Sequence, residues 1–128
     1  MPIAYFTNPS QEVDFSVNNF ASKWQEQDLG LLQELYRSNI QNLFDDVELM
    51  RESIENINKR DYIVFEFYGT VLPGESLFRQ ENPDRKYYYI QYTLKDYQIY
   101  IFTFIAPFRQ KSQWATTASA IMHSIKIN

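Results

Sequence analysis

The side chains best suited to bind another molecule lie in the last third of the sequence, and the first group of them is basic. Its members are Arg79, Arg85, Lys86, Arg109 and Lys111. Guanidinium and ammonium groups bind carboxylates and other anions, and arginine can do so through two parallel hydrogen bonds. If the strands identified below form a meander, the connections at residues 72–84 and 107–111 lie at the same end of the sheet. This arrangement predicts a contact surface for an acidic partner or an anionic group.

Three carboxylates occupy the same predicted end, at Glu75, Glu81 and Asp84. They nearly neutralise the basic group, and exposed ion pairs of this kind contribute little to stability. A salt-bridged rim without a partner is therefore the alternative interpretation of these residues.

A second candidate surface is apolar and aromatic. Leu77 and Phe78 project from a polar segment, and residues 87–89 are three consecutive tyrosines on adjacent faces of a predicted strand. Tyrosine is enriched at binding surfaces because it joins a large contact area to a hydrogen-bonding tip. Leu77, Phe78, Tyr87 and Tyr89 are therefore candidate contact residues for a partner. In the alternative interpretation, Leu77 and Phe78 fold back over the sheet edge.

Other kinds of chemistry find little support in the residue types. The sequence has no cysteine, which excludes disulfides, zinc–thiolate sites and cysteine nucleophiles. His123 is the single histidine, and alone it supplies neither a metal cluster nor a catalytic triad, so we expect it at the surface near a helix end. The acidic residues lack the spacing of a calcium-binding loop, and no nucleotide-binding or hydrolase motif occurs. We predict no catalytic residue, metal or cofactor, and hence no enzyme.

Glu66 stands among apolar neighbours, between Phe65 and Phe67. A carboxylate on a covered face of a strand requires a partner such as Arg or Tyr. If the face is open, Glu66 only marks its more hydrated side.

Composition places the chain among ordinary globular proteins. It has 128 residues, of which 45% are hydrophobic and 22% charged, as expected for one domain spanning residues 1–128. Ten Tyr and ten Phe favour a substantial sheet. The net charge of −4 argues against nucleic acid as a partner. No apolar run approaches the length of a spanning helix, so we expect no membrane insertion by this chain.

The elements of the first half are a strand and a helix. Residues 1–10 are interpreted as a leader or an edge segment. Val13, Phe15 and Val17 alternate with polar residues, which predicts a strand that ends at residues 18–19. Apolar residues at helical spacing then run from Trp24 to Phe44. This helix begins at either Ser22 or Asp28 and ends at residues 45–46.

The second half predicts a run of strands followed by a helix. Residues 47–57 favour a strand, with a helix as the alternative, because Met50, Ile54 and Ile57 could share a helical face. Three further segments carry apolar residues on both faces, which is typical of strands packed on each side: 61–71, 87–94 and 97–105, the last two joined by a turn at residues 95–96. A helix over residues 112–123 and a short closing strand at Ile125 and Ile127 complete the pattern.

This order of elements resembles the PsbP-like superfamily, which includes DcrB-like bacterial envelope proteins. The likeness rests on residues 95–104, on Ala106-Pro107, on Trp114 and on residues 121–127, and it covers mainly the C-terminal half. It implies an α+β fold in which an antiparallel sheet packs between helices as an αβα sandwich. It also implies a protein that binds or assists other proteins, as most members do. It transfers no catalytic residue, because the superfamily shares no catalytic motif.

These observations lead us to expect a non-catalytic protein-binding or accessory module. The resemblance alone favours the bacterial cell envelope or periplasm, on the condition that a signal upstream of Met1 was removed. Without such a signal, the cytoplasm is the expected location. A small acidic immunity or inhibitor protein that masks a toxin or enzyme is the alternative, since size, acidity and aromatic content fit it. A carrier that holds a small molecule or lipid between sheet and helix is a third interpretation.

Overall fold

A computed structural model describes residues 2–8, 13–71, 84–107 and 111–124. They form an α+β fold with one six-stranded antiparallel sheet and two helices. The strands and helices are β1 (Pro2–Asn8), β2 (Val13–Ala21), α1 (Leu29–Leu43), β3 (Asp46–Ile57), β4 (Arg60–Val71), β5 (Asp84–Lys95), β6 (Gln98–Pro107) and α2 (Lys111–Ser124). The order in the sheet is β1-β2-β6-β5-β4-β3. The predicted meander of the last four strands is therefore present.

The two helices cover opposite faces of the sheet, because alternate residues of a strand point to opposite sides. In β4, Ile63, Phe65 and Phe67 pack in the cluster that contains Leu29, Leu32 and Ile40 of α1. The alternate residues of the same strand, Tyr62 and Val64, pack with Ala118 and Met122 of α2. We name these sides the α1 face and the α2 face. The predicted fold class, an antiparallel sheet packed between helices, is confirmed.

Two tight hairpins set the register of the meander. Asn58 and Lys59 have φ angles of 53° and 67°, and Asp96 and Tyr97 have 52° and 61°. Positive φ at both central residues is the signature of the two-residue turn whose twist matches the flanking strands. The second turn lies one residue later than the sequence predicts, since Lys95 pairs with Gln98 as the last rung of β5.

The N-terminal strands differ in part from the prediction. β2 does not end at residues 18–19 but runs to Ala21, because Asn18 and Asn19 continue the ladder opposite Ile101 and Tyr100. The Asn19 Nδ2 also donates to Gln98 Oε1 at 2.6 Å, which satisfies an amide inside the sheet. β1, residues 2–8, pairs with β2 and lies at the border of the sheet.

The remaining elements follow the predictions closely. α1 begins at Leu29, after a single 3₁₀ turn at Glu26–Asp28, so Asp28 and not Ser22 marks its start. The ambiguous segment 47–57 is strand β3. α2 is one residue longer at each end than predicted, and the closing strand expected at Ile125 and Ile127 lies outside the described residues. No described helix has the length and apolar character needed to cross a membrane.

A close contact fixes the end of α1 on the sheet. The ring of Phe44 lies edge-on to Phe67 and Tyr88, at centroid distances of 5.4 and 4.9 Å. Gly69 makes room for it, since a Cβ at this position would stand 2.8 Å from the Phe44 ring. Any larger residue at Gly69 would push the end of α1 away from β4.

Candidate functional site

The predicted basic surface is only partly within the described residues. Arg79, Arg109, Leu77 and Phe78 lie outside them, and Lys111 is the first residue of α2 with an undescribed side chain. Arg85 and Lys86 are both on β5, where adjacent residues point to opposite faces. Whether the five basic residues converge thus stays a prediction.

The guanidinium of Arg85 forms ion pairs with carboxylates of its own chain. Its guanidinium donates to Thr70 Oγ1 at 2.7 Å, to Asp46 Oδ2 at 3.2 Å and to Glu48 Oε1 at 3.3 Å. It also lies 5.4 Å above the ring of Tyr68. Two carboxylates on one guanidinium favour the salt-bridged rim for this residue, although the acids are those of β3 and not the predicted ones.

Tyr87 and Tyr89 are buried and do not form an exposed contact surface. Their relative exposures are 0% and 1%. Both are odd-numbered residues of β5, and these point to the α2 face, where they join the cluster with Ala118 and Met122. The proposed role of these two tyrosines in contacting a partner is therefore corrected to a role in the core.

The two tyrosines instead surround Glu66 in a polar group that we name the Glu66 cluster: Arg51, Glu66, Tyr87 and Tyr89. The Tyr87 hydroxyl donates to Glu66 Oε2 at 2.5 Å, and Arg51 Nε lies 3.5 Å from Glu66 Oε1. The Arg51 guanidinium sits 5.1 Å above the Tyr89 ring. The Glu66 side chain is 16% exposed, so its face is covered. As expected for a covered carboxylate, Glu66 has both a tyrosine, Tyr87, and an arginine, Arg51, as partners.

The tyrosines of this cluster stay protonated near neutral pH. Burial, followed by the hydrogen bond to Glu66, raises the pKa of Tyr87 far above its usual value. Burial likewise raises the pKa of Tyr89. Protonated phenols donate hydrogen bonds but are poor bases and nucleophiles. The arrangement therefore holds the Glu66 side chain between a donating phenol and a guanidinium.

An apolar groove opens on the other face of the sheet, where α1 leaves part of it uncovered. α1 contacts β3 and β4, and β6 and β2 extend beyond it on the same face. The groove between α1 and these two strands has a volume of about 420 Å³. Its apolar lining consists of Phe20, Ala21, Trp24, Leu32, Leu35, Tyr36, Ile99 and Ile101.

The side chains that line the groove come from β2, from the link between β2 and α1, from α1 and from β6. Phe20 lies opposite Ile99 in the β2–β6 ladder. The link that follows β2 is fastened to the β5–β6 turn, because the Ser22 N–H donates to the Tyr97 carbonyl at 2.8 Å and Gln25 Nε2 donates to Tyr97 Oη at 2.9 Å. Ser22 Oγ accepts from the N–H of Trp24 at 2.9 Å. These bonds hold Trp24 at one end of the groove.

Two stacked tyrosine rings lie at the base of the α1 wall of the groove. The ring of Tyr36 stacks on that of Tyr92 with a centroid distance of 4.2 Å and an interplanar angle of 11°. Burial raises the pKa of Tyr36, so its hydroxyl remains neutral. Leu32, which is buried, lies next to this pair in the same core cluster.

The rim of the groove exposes large apolar side chains to solvent. Phe20 is 48% exposed, Leu35 47% and Trp24 37%. Leu31, on the outer side of α1, is exposed as well. Burying such surfaces is favourable by roughly 25 cal/mol per Å² of apolar area. The groove is suited to hold apolar side chains of another molecule.

Sequence reasoning missed this groove for two reasons. The helical spacing from Trp24 to Phe44 predicts one apolar face of a helix, and Phe20 lies beyond the predicted end of its strand. Apolar residues at 31–32 and 35–36 fit one broad core-facing stripe. The sequence therefore carried no local signal that Leu31 and Leu35 are exposed.

Metal and histidine chemistry have no geometry to support them within the described residues. No group of three or more His, Cys, Asp or Glu side chains in these parts of the chain could hold a metal ion. His123 is exposed in the last turn of α2, as predicted. Its carbonyl accepts a hydrogen bond from Asn58 Nδ2 at 2.9 Å, which ties α2 to the β3–β4 turn.

Comparison with known proteins identifies the fold but no family. No family model matches the sequence, and no curated protein matches it. Among solved structures, the chain is similar to PA94 of Pseudomonas aeruginosa, a protein of unknown function suggested to be a regulator. The TM-score is 0.70 at 12% sequence identity, over 98% of this chain and 82% of that one. This chain and the P. aeruginosa protein therefore share one α+β fold.

Proposed function

We propose that this protein is a non-catalytic protein-binding module that accepts an apolar segment of a partner protein in the groove beside α1. The observation that carries the proposal is the exposure of Phe20, Trp24 and Leu35 around a single groove. Exposed apolar surface that is contiguous and not scattered marks sites of interaction.

The shape of the groove favours a polypeptide over a small molecule. Pockets for small ligands bury most of the ligand surface. Here the rim residues are themselves about half exposed, and the apolar surface continues past the groove onto Leu31. A partner of protein size can cover both, and it can insert apolar or aromatic side chains as anchors between Trp24 and Leu35.

The resemblance of residues 95–104 to the PsbP-like superfamily supports the same function, since members mostly bind or assist other proteins. The groove lies directly beside this stretch, because Ile99 and Ile101 form its floor. The location in the bacterial cell envelope is part of this proposal and rests on the resemblance.

Two leucines of α1 allow a matched test. Leu35 lines the groove, whereas Leu43, exposed at the end of the same helix, does not. We expect Leu35→Lys and Leu43→Lys to leave the free energy of unfolding within about 0.5 kcal/mol of the original, because both side chains are exposed. The intact chain and both variants are immobilised, and proteins retained from lysate of the source organism are identified by mass spectrometry.

We expect a protein that the original chain and Leu43→Lys retain and Leu35→Lys loses. An identical set of retained proteins for all three chains would contradict the proposal. Native mass spectrometry of the purified chain tests the alternative that the protein carries a small molecule or lipid. A bound small molecule that is present with Leu43→Lys and absent with Leu35→Lys would assign the groove to a small ligand instead.

A further inference from the structure

Strand β3 borders the sheet and has an apolar outer region. It is 12 residues long and stands last in the strand order. No other described strand pairs with its outer side. Leu49 and Ile54 are 46% and 44% exposed on this strand, and Met50 is exposed between them. A long border strand with exposed apolar residues is a template for pairing with another chain.

The register of the β3–β4 hairpin shows which backbone groups are free for such pairing. Ile57 and Arg60 flank the two-residue turn and form a hydrogen-bonded pair, and such pairs alternate along an antiparallel ladder. Ile57, Glu55, Ser53 and Arg51 thus direct their N–H and C=O groups to β4. Asn56, Ile54 and Glu52 direct theirs to the outer side.

A second copy of β3 fits this outer side in an antiparallel arrangement. A two-fold axis normal to the sheet leaves the α1 faces of both copies on one side and their α2 faces on the other. Two residues that pair across the axis must therefore belong to the same face. With Ser53 on the axis, Glu52 of each copy lies opposite Ile54 of the other, and both have outward backbone groups. These two pairs exchange four hydrogen bonds across the axis.

The charges of β3 select this register. Arg51 and Glu55 share the α2 face, since they form an ion pair of 3.4 Å within one chain, across Ser53. With Ser53 on the axis, Arg51 of each copy lies opposite Glu55 of the other. These are non-hydrogen-bonded pairs, in which side chains approach most closely. The α1 face adds a diagonal contact between the two Ile54 side chains.

The neighbouring registers lack this match. An axis at Glu52 places the two Glu52 carboxylates directly opposite each other, which is destabilising. An axis at Ile54 places Arg51 opposite Ile57 and removes both ion pairs. We propose that two copies of this chain associate through β3 in antiparallel fashion, with Ser53 on the two-fold axis. The bulge between Leu49 and Arg51 ends the ladder on each side.

Single cysteines test the interface and its register, because the chain has none of its own. In the proposed dimer the two Ser53 Cα atoms are about 4.5 Å apart, within the range of a disulfide. The two Ile54 Cα atoms are diagonal neighbours at about 7–8 Å, beyond that range. We expect Ser53→Cys to form a disulfide-linked dimer under mild oxidation and Ile54→Cys to form no disulfide between the two copies. Disulfide formation by Ile54→Cys and not by Ser53→Cys would overturn the register.

Charge reversal tests the ion pairs in solution. We expect the unmodified chain to associate with rising concentration in sedimentation velocity, and Glu55→Arg to lose this association because Arg51 then faces a like charge. Glu48→Arg is the matched control, an exposed acid of β3 on the far side of the bulge, and it should sediment like the unmodified chain. A chain that is monomeric at every concentration, or a dimer that Glu55→Arg leaves intact, would overturn the proposal.

Discussion

The two faces of the sheet place polar and apolar groups in opposite ways. On the α1 face the sheet side chains beneath the helix are apolar, and beside the helix apolar residues of the groove reach solvent. On the α2 face a carboxylate, a guanidinium and two tyrosines lie largely out of solvent in the Glu66 cluster. The exposed apolar surface stabilises the folded chain little, whereas the covered polar cluster is costly to disrupt. The proposed binding groove therefore lies on the α1 face, and the covered polar cluster lies on the α2 face.

Strand β4 contributes to both faces. Its residues Ile63, Phe65 and Phe67 form the base of the α1 face and are fully buried. On the other side Tyr62 and Val64 continue into Glu66, where the covered layer changes from apolar to polar. Comparing substitutions at adjacent positions of this one strand therefore compares the two faces directly.

The largest effect is expected from Phe65→Ala, which empties a fully buried position of the α1 face. We expect a loss of roughly 3–5 kcal/mol in the free energy of unfolding, from lost apolar burial and the cavity left behind. Chemical denaturation followed by far-ultraviolet circular dichroism measures it. Leu43→Ala, an exposed leucine of α1, is the control and should change little. A loss below about 1 kcal/mol for Phe65→Ala would show that this face can collapse around the cavity.

A smaller effect is expected on the α2 face from Glu66→Ala. The substitution leaves the Tyr87 hydroxyl and Arg51 without their carboxylate, and hydrogen bonds to charged groups contribute about 1.5–3 kcal/mol. Tyr87→Phe should cost less, because it removes only the donor. The double variant should cost less than the two single losses added together. Strictly additive losses would mean that Glu66 and Tyr87 do not stabilise each other.

The smallest effect concerns an ion pair at the border of the α1 face, and it depends on pH. The hydrogen bond from Arg37 lowers the pKa of Glu52, which also accepts from Gln33 Nε2 at 2.8 Å. A carboxyl with a lower pKa in the folded chain adds stability above its unfolded pKa of about 4.3. That contribution is lost as the pH falls through the lower, folded pKa.

We therefore expect the stability difference between the original chain and Glu52→Gln to be largest near neutral pH and to shrink in acid. Denaturation midpoints measured across the acid range give this difference. Arg37→Met removes the same bond from the other side and should show the same trend. A difference that grows as the pH falls would contradict the assigned direction of the pKa shift.

The sequence predicted the meander better than the site, for physical reasons. Segments 61–71 and 97–105 carry apolar residues on both faces, and that pattern suits only a strand with a layer on each side. The predicted end of β2 was too early, because Asn18 and Asn19 are residue types typical of a turn. They pair instead with β6, and the local sequence pattern contains no information on such a long-range contact.

Site residues depend on which face of a strand is covered and by how much. Tyr87 and Tyr89 have side chains that suit a binding surface or a core equally well, and their burial follows only from the position of α2. Phe20 and Leu35 are the opposite case, since their side chains suit a core but are exposed. They are exposed because α1 does not extend over β2 and β6. The width of sheet that a helix covers is a tertiary property.

The pairing of β2 with β6 also has a consequence for the order of folding. Asn19 and Gln98, which are hydrogen-bonded across this ladder, are 79 positions apart in the chain. The β3–β4 and β5–β6 hairpins close over two residues, whereas this contact requires closing a long loop at a higher entropic cost. The groove has walls from β2, α1 and β6, so it forms only once the N-terminal hairpin has docked. Transient detachment of that hairpin would remove the proposed binding groove while the meander stays folded.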